Sequence, residues 1–347
     1  MGPYGRTLLG ALLGLVVGSS ACYWLYKRLF KSEPSKPGSS REDGAEAAKG
    51  GDESSARRLT RAPEAPSALL RRVSGITLVS KVRETPTVTG ILLNPSNNLD
   101  AQHLQKVIEL LEATEESSVR KQALITLSNS AAFSVNQDLI RYFGGLPVIG
   151  NMLSDPVPEI KEQALNALNN LSMNMRNQEQ LKLYIEHICA VVEAAPLNSD
   201  LQLAALRVLT NMSVTNQYQD MMVNSLPCFL RLWSHGNEKT QIHVLKVLVN
   251  LSANPSVTTD LLNTQAPSSL ASFFHTCTND DILLRALTFV ANLKENKTRE
   301  DGIAAHSQYH EDSLSSMLFG DSGQTFLVSL LHHSDTEVKK QIARIIT

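Results

Sequence analysis

Five asparagines recur along this chain at nearly equal steps: Asn129, Asn170, Asn211, Asn250 and Asn292, separated by 41, 41, 39 and 42 residues. A carboxamide neither gains nor loses a proton near neutral pH. It carries N–H donors and an oxygen acceptor on a short stem, so a row of them can hold backbone through hydrogen bonds but cannot move protons. Four residues before two of these amides stand basic groups, Arg207 and Lys246, one period apart. They could meet an acidic segment of a partner, or they could be two ordinary solvated charges.

Catalytic constellations are missing from the rest of the chain. It has no GxSxG, no P-loop, no HExxH and no GxGxxG after a strand, which argues against an enzyme. Glu109, Glu112, Glu115 and Glu116 read as the solvated end of a helix rather than an acid/base pair. Cys22, Cys189, Cys228 and Cys277 are far apart, lack CxxC spacing and read as reduced core thiols, three of them in helical apolar segments. The adjacent His332 and His333 have no companion ligands at zinc spacing, so no metal and no cofactor is expected. With 32 Lys plus Arg against 34 Asp plus Glu, the net charge of -2 gives no basic face for nucleic acid.

The asparagines end a shared template. Ala123 to Asn129, Ala164 to Asn170, Ala205 to Asn211, Val244 to Asn250 and Ala286 to Asn292 each place a small or β-branched residue first and an apolar residue, usually Leu, one and four positions later. That spacing puts the apolar groups on one helix face. A period near 40 in a helical chain marks stacked units of two or three helices, none of which can bury its apolar face alone. Gly144-Gly145-Leu146-Pro147 predicts a helix stop followed by proline in the first turn of the next helix, and Ser225-Leu226-Pro227 repeats the start signal. The array begins near Asp100, a predicted N-cap, with the amphipathic stretch Leu104, Val107, Ile108 and Leu111. Glu337 to Ala343 matches Glu159 to Leu165 and predicts a truncated last repeat, stretched by an insertion at 297–323.

Upstream the composition changes twice. Residues 7–26 form an uncharged run of 20, enough for a helix to cross roughly 30 Å of hydrocarbon. Arg6 precedes it and Lys27, Arg28 and Lys31 follow, a bias that leaves the remainder in the cytosol, with Tyr4, Tyr23, Trp24 and Tyr26 at the headgroups. A cleaved secretory signal is the competing reading. It fits poorly, because the sequons at Asn170, Asn211 and Asn250 sit inside apolar helical runs where a glycan would break the packing. Gly10, Gly14 and Gly18 share one face of this helix, where a second copy could pack to form a homodimer; glycine is also simply common in membrane helices. Residues 31–98 are expected to be a disordered linker, since the part to about Pro66 has scarcely a large apolar group to bury. Leu69, Leu70, Val73, Ile76, Leu78 and Val79 could dock on the repeats.

The period, the Ala-Leu-x-x-Leu-x-Asn helix and the Gly-Gly-Leu-Pro turn resemble armadillo repeats over residues 99–347. The predicted fold is therefore all-α: an armadillo-like right-handed α-solenoid with an N-terminal transmembrane helix and a disordered spacer. With anchor and spacer included, the chain resembles the Armcx family of mitochondrial outer-membrane armadillo proteins. That resemblance implies a location on the mitochondrial outer membrane, with an endoplasmic-reticulum pool, and a role in mitochondrial distribution and dynamics through Miro GTPases and kinesin adaptors. The alternatives are a regulatory scaffold at the endoplasmic reticulum, or a soluble form that binds transcription regulators controlling growth and survival. In armadillo proteins the recurring asparagine lines a groove and holds the backbone of an extended peptide. Carried over, this makes Asn129, Asn170, Asn211, Asn250 and Asn292 groove residues, against the alternative that they bridge helices within the stack. Import receptors of this fold carry Trp four residues earlier. Here Ile125, Asn166, Arg207, Lys246 and Thr288 stand there, which disfavours nuclear-localisation peptides.

Overall fold

Local start and stop signals cut the chain into short helices where the sequence places them. In the computed structural model, which describes residues 101–301, 310–320 and 327–346, Gly144 takes a left-handed conformation at φ 72° and separates two helices. Glycine reaches that region without a Cβ clash. Pro158 opens one helix and Pro227 sits in the first turn of another, where the missing N–H would have had no partner. Side chains of Asn174, Ser199 and Asn237 accept hydrogen bonds from the first-turn N–H groups of Arg176, Gln202 and Thr240.

The resulting helices are α1 (Ala101–Ala113), α2 (Ser117–Ser130), α3 (Ser134–Tyr142), α4 (Gly145–Asn151), α5 (Pro158–Leu171), α6 (Met175–Leu181), α7 (Ile185–Ala194) and α8 (Asp200–Met212). After a 3-10 segment at Asn216–Ser225 come α9 (Leu226–His235) and α10 (Glu238–Ser252). Then follow α11 (Thr258–Asn263), α12 (Leu270–Thr276), α13 (Asp280–Asp301), α14 (Leu314–Phe319) and α15 (Thr336–Ile346). They group as repeats: α3-α4-α5, α6-α7-α8, the 3-10 segment with α9-α10, and α11-α12-α13. The pair α1-α2 precedes them.

The long third helices stack in chain order, α2 on α5, α5 on α8, α8 on α10, α10 on α13 and α13 on α15. Shorter helices cover one side of this row, with α7 on α8 and α9 on α10. The template leucines fill the seams: Leu124, Leu127, Leu165, Leu168, Leu206, Leu209, Leu245, Leu248 and Leu287 are all fully buried. Each such side chain contributes about 1.5–3 kcal/mol by leaving water. Gly150 in α4 lies under the ring of Tyr184, where an added Cβ would overlap Cζ, so a side chain at this position would displace the ring that packs here from the next repeat.

The last repeat departs from expectation. Helix α13 runs through 297 to Asp301, so the predicted insertion at 297–323 begins as a continuation of the inner helix, and α14 occupies Leu314–Phe319 within the same stretch. Cys189 and Cys228 are buried in helices as expected, whereas Cys277 follows the end of α12 and is partly exposed. The predicted transmembrane helix at 7–26, its glycines Gly10, Gly14 and Gly18, Cys22, the linker at 31–98 and the cap Asp100 lie outside the described residues. Among the described residues no helix is long and apolar enough to cross a membrane.

Candidate protein-binding face

Four of the five recurring asparagines turn toward the neighbouring repeat. Asn170 Nδ2 donates to the Ser128 carbonyl at 2.9 Å. Asn211 Nδ2 reaches the Asn169 carbonyl at 3.0 Å, Asn169 Oδ1 at 3.2 Å and Ser172 Oγ at 3.0 Å. Asn250 Nδ2 reaches Ser213 Oγ at 2.9 Å, and Asn292 Nδ2 reaches Ser252 Oγ at 3.1 Å. Each serine hydroxyl then donates into its own helix: Ser172 to the Asn169 carbonyl at 2.7 Å, Ser213 to Thr210 at 3.0 Å and Ser252 to Val249 at 2.9 Å.

The Asn-x-Ser triplets are thus two halves of a relay, in which the amide reaches back one repeat and the serine receives from the next. The acceptors are last-turn carbonyls and hydroxyls that a helix end otherwise leaves short of donors. Asn170 is 0 % exposed and Asn211 2 %, so these two offer almost no surface to a bound chain. Asn129, Asn250 and Asn292 are half-buried, and Asn292 Oδ1 accepts from Arg344 of α15 at 3.0 Å. Burial of the serines alongside the asparagines also rules out glycan attachment at Asn170 and Asn211 in the folded state.

A second amide ladder went unread in the sequence. Gln137, Gln178 and Gln219 each donate Nε2 to the carbonyl six residues earlier, at Ala131 (2.9 Å), Ser172 (2.8 Å) and Ser213 (2.7 Å). Gln137 and Gln219 also reach forward to the Asn170 and Asn250 carbonyls, at 3.1 Å and 3.2 Å. Their own steps of 41 residues, and the Asn-Gln pairs at 136–137 and 177–178, were the available signal.

The side of the inner row left uncovered by the shorter helices carries charge. Arg207 on α8 is half-buried, with one guanidinium N–H on Asn166 Oδ1 at 3.3 Å and Nε buried without a hydrogen-bond partner. Burial lowers its pKa, opposed by Glu162 and Asp200. His243 on α10 has its Nδ1 buried without a partner. Burial, then the charges of Lys246, Arg207 and Arg285, push this imidazole down to about 3, so it is neutral at physiological pH. Lys246, one turn on and 8 % exposed, is pushed down to about 8 by burial and by Arg285. Arg285 on α13 is 7 % exposed and donates to the Asp281 carbonyl at 2.5 Å. Arg207 and Lys246, expected from the sequence, are therefore joined by His243 and Arg285, which stand seven residues before Asn250 and Asn292, one helical turn ahead of the positions considered.

A buried ammonium whose pKa is lowered by folding opposes folding wherever it is charged. Lys246→Met is accordingly expected to raise the unfolding free energy at pH 7 by about 1–2 kcal/mol. The unfolded chain holds this proton up to about 10.5 and the folded chain only to about 8, so wild-type stability gains from this group as pH rises between the two values. The thiol of Cys189, pushed up to about 12 by burial, acts in the opposite direction above pH 9. The measurement is therefore the difference in urea midpoint between wild type and variant at pH 7 and pH 10, which should shrink at the higher pH.

Among the described residues no cluster of three or more His, Cys, Asp or Glu could hold a metal ion. His333 instead faces Asp280, Nε2 to Oδ1 at 3.5 Å.

Stacked three-helix units with a continuous inner row and an amide-bonded seam define an armadillo-type α-solenoid. The Armadillo-like family matches residues 99–319, more than half of the chain, and the protein belongs to that family. Solved structures share the fold at low identity. A designed armadillo repeat protein in complex with the peptide (KR)4 superposes with a TM-score of 0.56 at 16 % identity, covering 70 % of this chain and 98 % of that one. Another designed armadillo repeat protein gives 0.58 at 16 %, over 70 % and 98 % of the two chains. An engineered protein gives 0.56 at 18 %, over 70 % and 94 %.

Proposed function

We propose that this protein is a non-enzymatic adaptor, tethered by residues 7–26 to the mitochondrial outer membrane with its repeats in the cytosol, which binds other proteins along the inner-helix row. The observation that carries the reading is the armadillo-like array itself, an extended row of helices with partly exposed polar and basic groups on its uncovered side. The designed armadillo repeat protein solved in complex with the peptide (KR)4 gives a precedent for peptide binding by a protein of this fold. Asn129, Asn250 and Asn292, with Arg207 and Lys246, are the contact residues in this reading.

The uncharged run at 7–26 and the basic residues after it support the tether and its orientation. The resemblance to the Armcx family supports the organelle, a role in mitochondrial distribution and dynamics, and Miro GTPases and kinesin adaptors as partners.

Deleting residues 1–30 is expected to release a folded, soluble protein with unchanged helical circular dichroism and to abolish organelle association. Full-length tagged protein recovered mainly from nuclei would overturn the adaptor reading. Recovery chiefly from endoplasmic-reticulum membranes would reassign the organelle.

A further inference from the structure

We propose that Arg207, His243, Lys246 and Arg285 form a recognition pocket for carboxylate side chains of an extended acidic peptide. This rests on the protein-binding reading above and names the class of segment that the row accepts.

Three basic side chains and an imidazole from α8, α10 and α13 crowd one stretch of the inner row, close enough that Lys246, Arg207 and Arg285 together depress His243, and Arg285 depresses Lys246. Like charges held this close and this deeply buried oppose folding. An arriving anion would relieve both the repulsion and the lost solvation. Two buried nitrogens are without a hydrogen-bond partner: Arg207 Nε, a standing donor, and His243 Nδ1, which donates in the neutral imidazole when it carries the ring proton. At the position seven residues before the recurring asparagine, where His243 and Arg285 stand, the two preceding repeats have Gln163 and Ala204 and the truncated last repeat has Gln341, so the charge is concentrated in the middle of the array.

The burial discriminates among anions. Lys246 at 8 % and Arg285 at 7 % exposure leave too little surface for the broad polyanionic face of a nucleic acid, which calls for an exposed basic surface, so the proposed ligand group is a single carboxylate. Glu162 and Asp200 beside Arg207 also repel a continuous run of phosphates, while a peptide can place neutral residues there. In an extended chain every second side chain shares a face, so acidic residues at alternate positions present their carboxylates together.

The test uses the full chain in detergent and two fluorescein-labelled eight-residue probes, one alternating Glu with Ser and the other alternating Gln with Ser. Binding is read by anisotropy. The Glu probe should bind roughly tenfold or more tightly than the Gln probe at low salt. Arg207→Gln and Lys246→Met should each remove most of that preference, and because Lys246→Met is expected to stabilise the fold, unfolding cannot account for its loss. Affinity for the Glu probe should fall as pH rises past about 8, where Lys246 gives up its proton, with Arg285, Arg207 and His243 facing it and Glu162 and Asp200 beyond Arg207. That dependence should vanish in Lys246→Met.

Equal affinity for the two probes, or an unchanged preference in both variants, overturns the pocket and leaves the adaptor reading standing. Full competition by inorganic phosphate or by a single-stranded oligonucleotide at matched charge also overturns it, assigning the site to small anions or nucleic acid. Failure of both probes, together with no proteins recovered by proximity labelling from the repeat domain in cells, removes the pocket and the adaptor reading alike.

Discussion

Replacing Trp233 with alanine is expected to lower the unfolding free energy by about 3–5 kcal/mol, the range seen when a large buried aromatic is truncated to a cavity. Trp233 on α9 is 0 % exposed. Its ring meets Phe273 and Phe274 of α12 edge-on at 5.3 Å and 6.0 Å and Phe289 of α13 at 5.6 Å, with interplanar angles of 76°, 88° and 85°. Edge-to-face geometry sets the positive rim of one ring against the negative face of the next, adding to the burial itself.

The cluster joins two consecutive repeats, which gives its loss a particular signature. In a solenoid each unit is held mainly by its neighbours, so weakening one interface uncouples the halves on either side. Urea unfolding followed by far-UV circular dichroism should therefore shift to lower urea and broaden, with the C-terminal repeats melting first. A variant with an unchanged midpoint would show that the aromatic cluster does not couple these repeats.

The inner helices were legible because their signal is local. Ala164, Leu165 and Leu168 lie within a turn of one another, and a helix that must bury such a stripe repeats it wherever a unit recurs. Gly144 and Pro147 were equally legible, since backbone conformation is restricted at the residue itself. Beyond these marks and the start at Pro227, the shorter helices between templates were not separately predicted, and α6 emerges only once the stack exists to cover it.

Side-chain direction was harder to read. The sequence marks Asn170 and Asn211 as recurrent, but an amide can serve a bound peptide or the helix beside it equally well. Only the neighbouring repeat decides, and here its carbonyls and serine hydroxyls lie within 3.2 Å. The partners of Gln137 and Gln178 were obscured for the same reason. His243 and Arg285 stand seven residues before the asparagine, a position that holds Gln122, Gln163 and Ala204 in the other repeats, so no recurring basic pattern marks them. Depth decided their role: a basic residue on an exposed face is ordinary, whereas one at 7 % exposure beside others of its sign is not.

Asn211→Leu should lower the unfolding free energy by about 2–3 kcal/mol, while Asn129→Leu should change it by less than about 0.5 kcal/mol. The two positions are equivalent in the repeat, yet Asn211 Nδ2 serves the Asn169 carbonyl, Asn169 Oδ1 and Ser172 Oγ, whereas Asn129 is half-buried on the first inner helix of the described residues. Leucine matches asparagine in branching and heavy-atom number, so no cavity opens and the loss reports the hydrogen bonds together with the crowding of two methyl groups. Hydrogen exchange should locate it: the amides of Ser172 and Met173, which close the end of α5 on the Leu168 and Asn170 carbonyls, should lose protection in Asn211→Leu and keep it in Asn129→Leu. If instead the two variants destabilise equally, the relay between repeats is not what holds the inner row in register. If the prediction holds, the recurring amides fix the spacing of the row, and recognition falls to the half-exposed residues and charges that this spacing sets at regular intervals along its open side.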